Sequence, residues 1–314
     1  MTDRSGLVDR PDKRPRIWQD PERQKRNARL REYLAGIVDL DAASWNSTPP
    51  PVGLSDAPAF KAPRVVWLYW HQGWDDAPEI AQVCHESWRA FNPGYEIRPI
   101  DHAWVQATYG EQLRFQPKIG VIGFSDRLRM KLLSEHGGIW ADATIFCSQP
   151  LDAWVHTLLT PARLFAFADP SPERIVATWF LAATPRSPLL GAWDDVLRTY
   201  LNNLEREDRT MHAYFFTHYA LDFIIDSSSA MRAWWDAMPK VAIATPMALA
   251  RFANLASNEP PLRAFSEDDH ARIRELLTLS PIHRLTRKGA VAAGFPNARV
   301  VIDILADYVA RGTR

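Results

Sequence analysis

The 314-residue sequence has little cysteine, no excess of either charge and no long apolar segment. Its two cysteines, Cys84 and Cys147, are too few for a disulfide scaffold or a four-cysteine metal site, so we interpret them as buried, reduced thiols. The 37 basic side chains balance 37 acidic ones, which leaves no broad positive field of the kind that general nucleic-acid binding uses. The composition therefore argues against a disulfide-rich secreted protein and against nucleic acid as a partner.

No segment has the pattern of a signal peptide or a transmembrane helix. Apolar runs such as residues 65–70 are far shorter than the roughly 20 residues that span a bilayer, and residues 1–31 are charged throughout. We therefore expect a cytoplasmic protein. Residues 1–34 hold ten Lys or Arg against six Asp or Glu. This segment either packs on its own domain or makes peripheral contact with the inner membrane surface, at its cytoplasmic face.

The sequence does contain enough apolar side chain for a large core. Apolar residues make up 46% of the chain and 13 of its aromatic residues are tryptophan, so we expect a folded protein. The prolines that follow Thr48 interrupt any helix and indicate a linker. We predict a basic helical arm and Pro-rich linker over residues 1–60, with a helix at 23–34, and one core domain over residues 61–314.

The core begins with a strand–helix–strand pattern. The apolar run at 65–70 predicts a strand buried on both faces, and residues 95–100 predict a second strand. Between them we expect a helix that Asp76 caps and that carries an apolar residue every three or four positions up to Phe91. This order predicts a mostly parallel sheet and an α/β fold. After Pro150 we expect mainly helices.

The most informative segment is the run at 124–144. It predicts a helix that Ser125 caps and that a Gly-Gly pair ends, followed by a strand over residues 139–147. On that helix Asp126 and Arg129 face the same side, and on a strand Asp142 and Thr144 share one face.

Charged side chains inside apolar elements are costly to bury unpaired, so we expect a ligand beside them. The spacing alone leaves a purely structural interpretation open. In that interpretation Asp126 pairs only with Arg129, and Asp142 caps another element.

The same residues carry a resemblance to a known family. The pattern Ser-Asp-x-x-Arg, a short spacer and Gly-Gly-x-Trp-x-Asp-x-Thr is similar to that of the bacterial capsular polysaccharide synthesis family. These sugar transferases are related to the DXD-containing sugar-binding region of yeast outer-chain mannosyltransferases and glucosylating clostridial toxins. Weaker similarities at residues 67–74, 177–183 and 281–288 occur in the family's order.

The resemblance implies a GT-A-like fold, which is a nucleotide-sugar-binding α/β core with helical insertions. It also implies a nucleoside-diphosphate sugar as donor and a divalent cation, Mg²⁺ or Mn²⁺, that bridges the donor's phosphates. By position, Asp142 and Thr144 are the predicted metal ligands. Because Thr144 replaces the second acid of the motif with a neutral hydroxyl, we expect weakened ion binding.

The resemblance assigns the catalytic residues as Asp142, Asp126 and Arg129. Asp126 and Arg129 are also expected to hold the hydroxyls of the donor sugar, where the planar guanidinium offers paired donors. His283 and Lys288 are expected to fold over the diphosphate as a late lid, with a solvated basic loop as the alternative.

The base and ribose of the donor are expected against the loop that follows the first strand. Trp70 is predicted to stack on the nucleobase, although a core tryptophan at a strand end is an equally good interpretation. The residues assigned to donor binding in this loop are Trp70, His71, Gln72, Gly73 and Trp74.

We therefore predict a retaining glycosyltransferase that moves a hexose-type sugar to a capsular or other surface polysaccharide or glycolipid. One alternative is a non-catalytic sugar- or nucleotide-binding protein that has lost its metal, which Thr144 favours. Another is a metal-dependent hydrolase of sugar nucleotides, for which Asp142 alone supplies too few carboxylates.

Overall fold

A computed structural model describes residues 21–49, 51, 60–171, 174–207 and 214–312. The described strands are β1 (Val65–Tyr69), β2 (Glu96–Ile100), β3 (Gly138–Ala141), β4 (Ile145–Cys147), β5 (Leu164–Ser171), β6 (Arg174–Ala183), β7 (Val241–Ala242) and β8 (Ile282–Arg284). The described α-helices are α1 (Pro21–Ile37), α2 (Glu79–Phe91), α3 (His102–Tyr109), α4 (Gly120–His136), α5 (Pro188–Arg206), α6 (Phe216–Ser227), α7 (Ser229–Ala237), α8 (Ala248–Phe252), α9 (Glu267–Leu276) and α10 (Pro296–Gly312).

The centre of the fold is a mixed sheet with the strand order β2-β1-β3-β6-β5-β7. Its pairs β1–β2, β1–β3 and β5–β7 are parallel, and its pairs β3–β6 and β5–β6 are antiparallel. A separate small sheet pairs β4 with β8. The predicted α/β class with a mostly parallel sheet is therefore confirmed.

The first strand–helix–strand unit forms as the sequence predicts. Every residue of β1 is buried, and β1 runs parallel to β2 from the pair Val65–Glu96 to the pair Tyr69–Ile100. The predicted cap at Asp76 is wrong, because that residue lies in a 3₁₀ turn and α2 has Pro78 at its N-cap.

The helix and strand of the 124–144 run differ from the prediction in two ways. Helix α4 already begins at Gly120, so Ser125 lies inside it and does not cap it. The predicted strand at 139–147 is two strands, β3 and β4, which belong to different sheets. Asp142 and Thr144 consequently lie in the turn between them, where the Ile145 N–H donates to the Asp142 carbonyl at 2.9 Å.

The Gly-Gly pair ends α4 as predicted. Gly137 and Gly138 have φ values of 66° and 96°, which glycine adopts without a steric penalty. A Cβ on Gly138 would lie 2.5 Å from Cγ1 of Val65. The pair therefore lets the chain turn sharply and run alongside β1.

The expectation of mainly helical structure after Pro150 is wrong for one hairpin. Strands β5 and β6 pair antiparallel, and β6 adds the hairpin to the edge of β3. The helices expected at 188–204, 214–225 and 231–238 are present as α5, α6 and α7.

The described part of the N-terminal segment packs on the core. Leu30 and Leu34 of α1 are fully buried, and the Trp45 indole N–H donates to Asp195 of α5 at 3.2 Å. Residues 1–20 of the predicted arm, and residues 50 and 52–59 of the predicted linker, lie outside the described residues. Both cysteines are buried and free, as expected. No helix in the described ranges is long and apolar enough to cross a membrane.

Candidate functional site

One cleft of about 340 Å³ lies where β1, α4, β3 and β8 meet. Its lining combines cationic, aromatic and hydroxyl side chains with one carboxylate. The lining residues are Tyr69, Trp70, His71, Gln72, Val121, Ile122, Ser125, Arg129, Trp140, Asp142, Ala143, Thr144, Tyr214, Arg284, Leu285, Thr286, Arg287 and Lys288.

Strand pairing explains why residues so distant in sequence share this cleft. Parallel β1 and β3 end at the same edge of the sheet, which places the loop after Tyr69 beside the turn at Asp142. Antiparallel pairing of β4 with β8 then returns the chain past this turn, and the Leu285 N–H donates to the Thr144 carbonyl at 2.9 Å. The basic segment that follows Leu285 therefore borders the cleft.

Arg129 joins the helix and strand parts of the motif. Its Nη2 lies 3.1 Å from Oδ1 of Asp126 and 3.2 Å from Oδ1 of Asp142. Its Nη1 donates to the Thr178 carbonyl at 2.6 Å, and its guanidinium lies 5.1 Å from the centre of the Trp140 ring. The side chain is only 6% exposed, so most of its hydrogen-bonding capacity is used inside the protein.

Asp142 presents the carboxylate of the cleft. Its Oδ1 accepts from the Trp140 indole N–H at 3.0 Å and faces Arg129. The side chain remains 30% exposed. Its second oxygen is therefore available to a hydroxyl of a ligand in the cleft.

Asp126 lies behind Arg129 and does not line the cleft. It accepts a hydrogen bond from the Thr217 hydroxyl at 2.9 Å. Burial raises the pKa of Asp126, while Arg129 and the hydrogen bond from Thr217 act in the opposite direction. Asp126 does not reach the cleft surface, so it does not make the expected direct contact with a sugar there.

Three of the residues predicted in the first loop line the cleft: Trp70, His71 and Gln72. His71 Nδ1 lies 2.7 Å from the Tyr69 hydroxyl. Burial, and then the neighbouring His102, lower the pKa of His71, so it is neutral at neutral pH. Trp70 is partly buried and carries the Arg287 guanidinium 5.3 Å from the centre of its ring.

Gly73 and Trp74 are corrections to the predicted donor site. Neither lines the cleft. Trp74 donates its indole N–H to the Ile100 carbonyl at 3.1 Å and contacts His85, so it stabilises the turn into α2. Gly73 has a φ of 103°, and a Cβ there would meet nothing closer than 4.0 Å. Glycine is needed at this position for its backbone angle.

His283 is a further correction. It is fully buried, with Nε2 at 3.2 Å from both the Ser148 hydroxyl and the Leu277 carbonyl, so it does not cover the cleft. Successive side chains of a strand point to opposite faces, and the neighbour Arg284 therefore faces the cleft instead. Lys288 does line the cleft, and its contact with the diphosphate stays a prediction.

Eleven lining residues were not predicted as site residues, and five of these add charge or an exposed apolar surface to the cleft. Arg284 and Arg287 stood in the 281–288 similarity but were not singled out, and a strand periodicity test would have separated Arg284 from His283. Val121, Ile122 and Tyr214 form an exposed apolar rim, with 38%, 45% and 58% exposure. Val121 and Ile122 were missed because α4 was expected to begin at Ser125, and Tyr214 lies just before α6, outside the motif.

A family model described as capsular polysaccharide synthesis protein matches residues 53–288 of this chain. The chain belongs to the capsular polysaccharide synthesis protein family. The match includes every residue that lines the cleft, from Tyr69 to Lys288, and the resemblance carried by the 124–144 run is thereby confirmed.

Curated relatives of this family member are fungal, whereas the sequence resemblance implied a bacterial protein. The putative glycosyltransferase HOC1 of Saccharomyces cerevisiae is 25% identical over 49% of this chain and 46% of its own length. Glycosyltransferase afumC of Aspergillus fumigatus is 26% identical over 54% of this chain and 47% of its own length. The chain thus spans about half the length of the curated relatives it matches. A solved structure titled PaToxG Glycosyltransferase aligns over 91% of this chain and 96% of its own, with 12% identity and a TM-score of 0.38.

The donor atoms at the family motif do not fit a divalent cation held by the protein. Such ions prefer several oxygen ligands, carboxylates above all. Here Asp142 already faces Arg129 and Trp140, and Thr144 offers a neutral hydroxyl 3.5 Å from the Leu285 carbonyl. The described residues contain no group of three or more His, Cys, Asp or Glu that could hold a metal ion. The predicted metal site at Asp142 and Thr144 therefore lacks the ligands it needs.

Proposed function

We propose that this protein is a glycosyltransferase that moves a hexose-type sugar from a nucleoside-diphosphate donor to a hydroxyl of a polysaccharide or glycolipid acceptor. The observation that carries the proposal is the lining of the cleft, where four cations, Arg129, Arg284, Arg287 and Lys288, surround the single carboxylate of Asp142. An anionic diphosphate suits the cations, and sugar hydroxyls suit a carboxylate beside a guanidinium. Family membership and the names of the fungal relatives support this proposal.

The chemistry of each wall of the cleft supports one arrangement of the donor. The base and ribose lie beside Trp70, His71 and Gln72, the sugar beside Asp142 and Arg129, and the diphosphate beside the basic segment after β8. Asp126 acts as a positioning residue, since its carboxylate contacts Arg129 and not the cleft.

The transfer proceeds with retention of the anomeric configuration. The bond between the anomeric carbon and the donor phosphate breaks, and the acceptor oxygen bonds to that carbon on the same face. The acceptor proton passes to the departing phosphate oxygen, so no protein nucleophile is needed. Fixed positive charge beside the leaving diphosphate lowers the barrier, because negative charge grows there in the transition state.

The acceptor enters over the apolar rim. Val121 and Ile122 at the start of α4, with Tyr214 opposite, are exposed at the cleft. Sugar rings have apolar faces that pack on such side chains, and a glycolipid adds further apolar surface.

A thermal-shift panel of UDP-, GDP-, CDP- and ADP-sugars tests the proposal. We expect one nucleotide class to raise the Tm by several degrees, since a ligand that binds only the folded state stabilises it.

Asp142→Asn keeps an acceptor for Trp140 but loses charge, and we expect about a 10- to 100-fold loss of kcat/KM with an unchanged Tm.

Acceptor-dependent transfer and release of free sugar are then measured separately. Transfer supports the proposal, and release of sugar without transfer to any acceptor supports a hydrolase. Binding without either reaction supports a non-catalytic nucleotide-sugar-binding protein. No stabilisation by any of the four donor classes contradicts the proposal.

A further inference from the structure

Three cations of the cleft have no acidic partner among the residues that the structure describes. None of the ion pairs among the described residues involves Arg284, Arg287 or Lys288, whereas Arg272 of α9 and both Arg299 and Arg311 of α10 pair with neighbouring acids. The whole chain is neutral, so this cluster is a local concentration of charge. Three like charges close together repel one another, and an anion between them relieves that repulsion.

The segment that carries these cations is held at both ends. Leu285 is buried and donates its backbone N–H to the Thr144 carbonyl at 2.9 Å. Gly289 has a φ of 60°, and a Cβ there would lie 2.6 Å from the Ala256 carbonyl group. The backbone of this segment is therefore fixed against the core, so the positions of its charges are set before a ligand arrives.

The described lining of the cleft has far fewer acidic side chains than basic ones. Within the described part of the lining the one carboxylate is that of Asp142, which contacts Arg129, and Thr144 is neutral. A divalent cation would meet four protein cations and a single carboxylate that is already paired. Coulomb repulsion from the cations disfavours the ion at the place where a diphosphate is favoured.

We propose that Arg284, Arg287 and Lys288 replace the divalent cation, so that the protein binds the diphosphate of its donor without a metal. This inference rests on the proposed function and concerns the same cleft. Arginine suits the role because its planar donors form paired hydrogen bonds to phosphate oxygens and its charge is independent of pH. Lys288 adds a point charge at the exposed end of the segment.

The experiment measures binding by isothermal titration calorimetry, with UDP, GDP, CDP, ADP and inorganic pyrophosphate as probes. Pyrophosphate tests the phosphate site without reference to the base. Each probe is titrated in EDTA and again in excess Mg²⁺ or Mn²⁺. We expect at least one nucleotide, and pyrophosphate, to bind in EDTA. Addition of Mg²⁺ or Mn²⁺ should change the Kd by less than about threefold, where a tenfold change would correspond to about 1.4 kcal/mol of binding free energy.

Two variants identify the cations. Arg284→Gln and the double variant Arg287→Gln/Lys288→Gln are each expected to weaken binding in EDTA by about tenfold or more, as loss of a charge-assisted hydrogen bond does. Because the double variant changes only exposed side chains, it remains informative if Arg284→Gln fails to fold. Arg274→Gln makes the same single charge change as Arg284→Gln on an exposed position of α9, so it is the control and should bind like the parent protein.

The outcomes separate this inference from the proposed function. Binding that is at least about 30-fold tighter with Mg²⁺ or Mn²⁺ than in EDTA overturns the inference and leaves the glycosyltransferase proposal intact. Full affinity in both cation variants also overturns it. If no probe binds under any condition, the proposed function itself fails.

Discussion

At the scale of single residues, Arg129 is the group on which the two acids of the motif converge. It contacts Asp126 on its own helix and Asp142 on the turn after β3, and its side chain is almost completely buried. Removal of one member of a buried ion pair leaves the other charge without compensation, and this costs more than the pair contributes.

We therefore expect Arg129→Ala to destabilise the protein by about 3–5 kcal/mol, because Asp126 would remain buried without its partner. Equilibrium unfolding in urea measures this change. Asp126→Asn in the Arg129→Ala background should recover part of the loss, since an amide needs no opposite charge. Arg198→Ala removes an exposed pair with Asp195 and should cost at most about 1 kcal/mol. Equal effects at Arg129 and Arg198 would contradict the central position of Arg129.

The sequence predicted the membership of this group but not its geometry. Helical spacing places Asp126 and Arg129 on one side of α4, and the structure agrees. The two-residue period of a strand places Asp142 and Thr144 on one face, whereas the structure puts both in a turn. The difference arises because β4 pairs with β8, a strand almost 140 residues further along, and no local pattern encodes that partner.

At the scale of elements, we expect the packing of α1 on α6 to depend on pH through Asp222. Asp222 of α6 is partly buried near Arg31 of α1 and Asp226. Burial raises the pKa of Asp222 to about 7, with Asp226 adding to this rise and Arg31 opposing it. The folded protein thus holds this proton more tightly than the unfolded chain, where aspartate titrates near about 3.9.

The contribution of Asp222 to stability is therefore complete below about pH 4 and is lost as the pH rises through about 7. We expect Asp222→Asn to gain stability relative to the parent over this interval, with a constant difference at higher pH. Urea unfolding at pH 4, 5.5, 7 and 8.5 measures the difference. Asp236→Asn, on an exposed position of α7, is the control and should show no such trend. A flat difference for Asp222→Asn would exclude a proton held at this site.

Short elements were the ones that the sequence predicted poorly. The three-residue strand β8 reverses the orientation of neighbouring side chains, so His283 is in the core and Arg284 is in the cleft. Long amphipathic helices such as α5 were predicted nearly to their ends, because many residues share one periodicity. In a three-residue strand, pairing partners and not periodicity decide which face is buried.

At the scale of the whole molecule, the described part of the N-terminal segment packs as part of the core. Leu30 and Leu34 of α1 belong to the same buried cluster as the helices α5, α6 and α7. Tertiary burial of this kind couples the stability of an element to that of its neighbours.

Leu34→Ala should therefore lower the stability of the entire protein by about 2–5 kcal/mol, the usual cost of a cavity at a fully buried leucine. Unfolding should remain a single transition when followed by far-ultraviolet circular dichroism and by tryptophan fluorescence. Glu32→Ala, on the exposed side of α1, is the matched control and should change stability by less than about 0.5 kcal/mol. An early separate transition in the Leu34 variant would show that α1 is an independent unit.

The sequence by itself determined the class of fold, the family and the chemical character of the site. Apolar runs, helical periodicity and the Gly-Gly turn are local, so their physical causes act within a few residues. Tertiary structure alone decided which polar residues share the cleft. Strand pairing across almost 140 residues brings Arg284, Arg287 and Lys288 beside Asp142, and burial withdraws His283 and Asp126 from it. The charge balance of the cleft, which argues against a bound metal, is a property of that assembly and of no single segment.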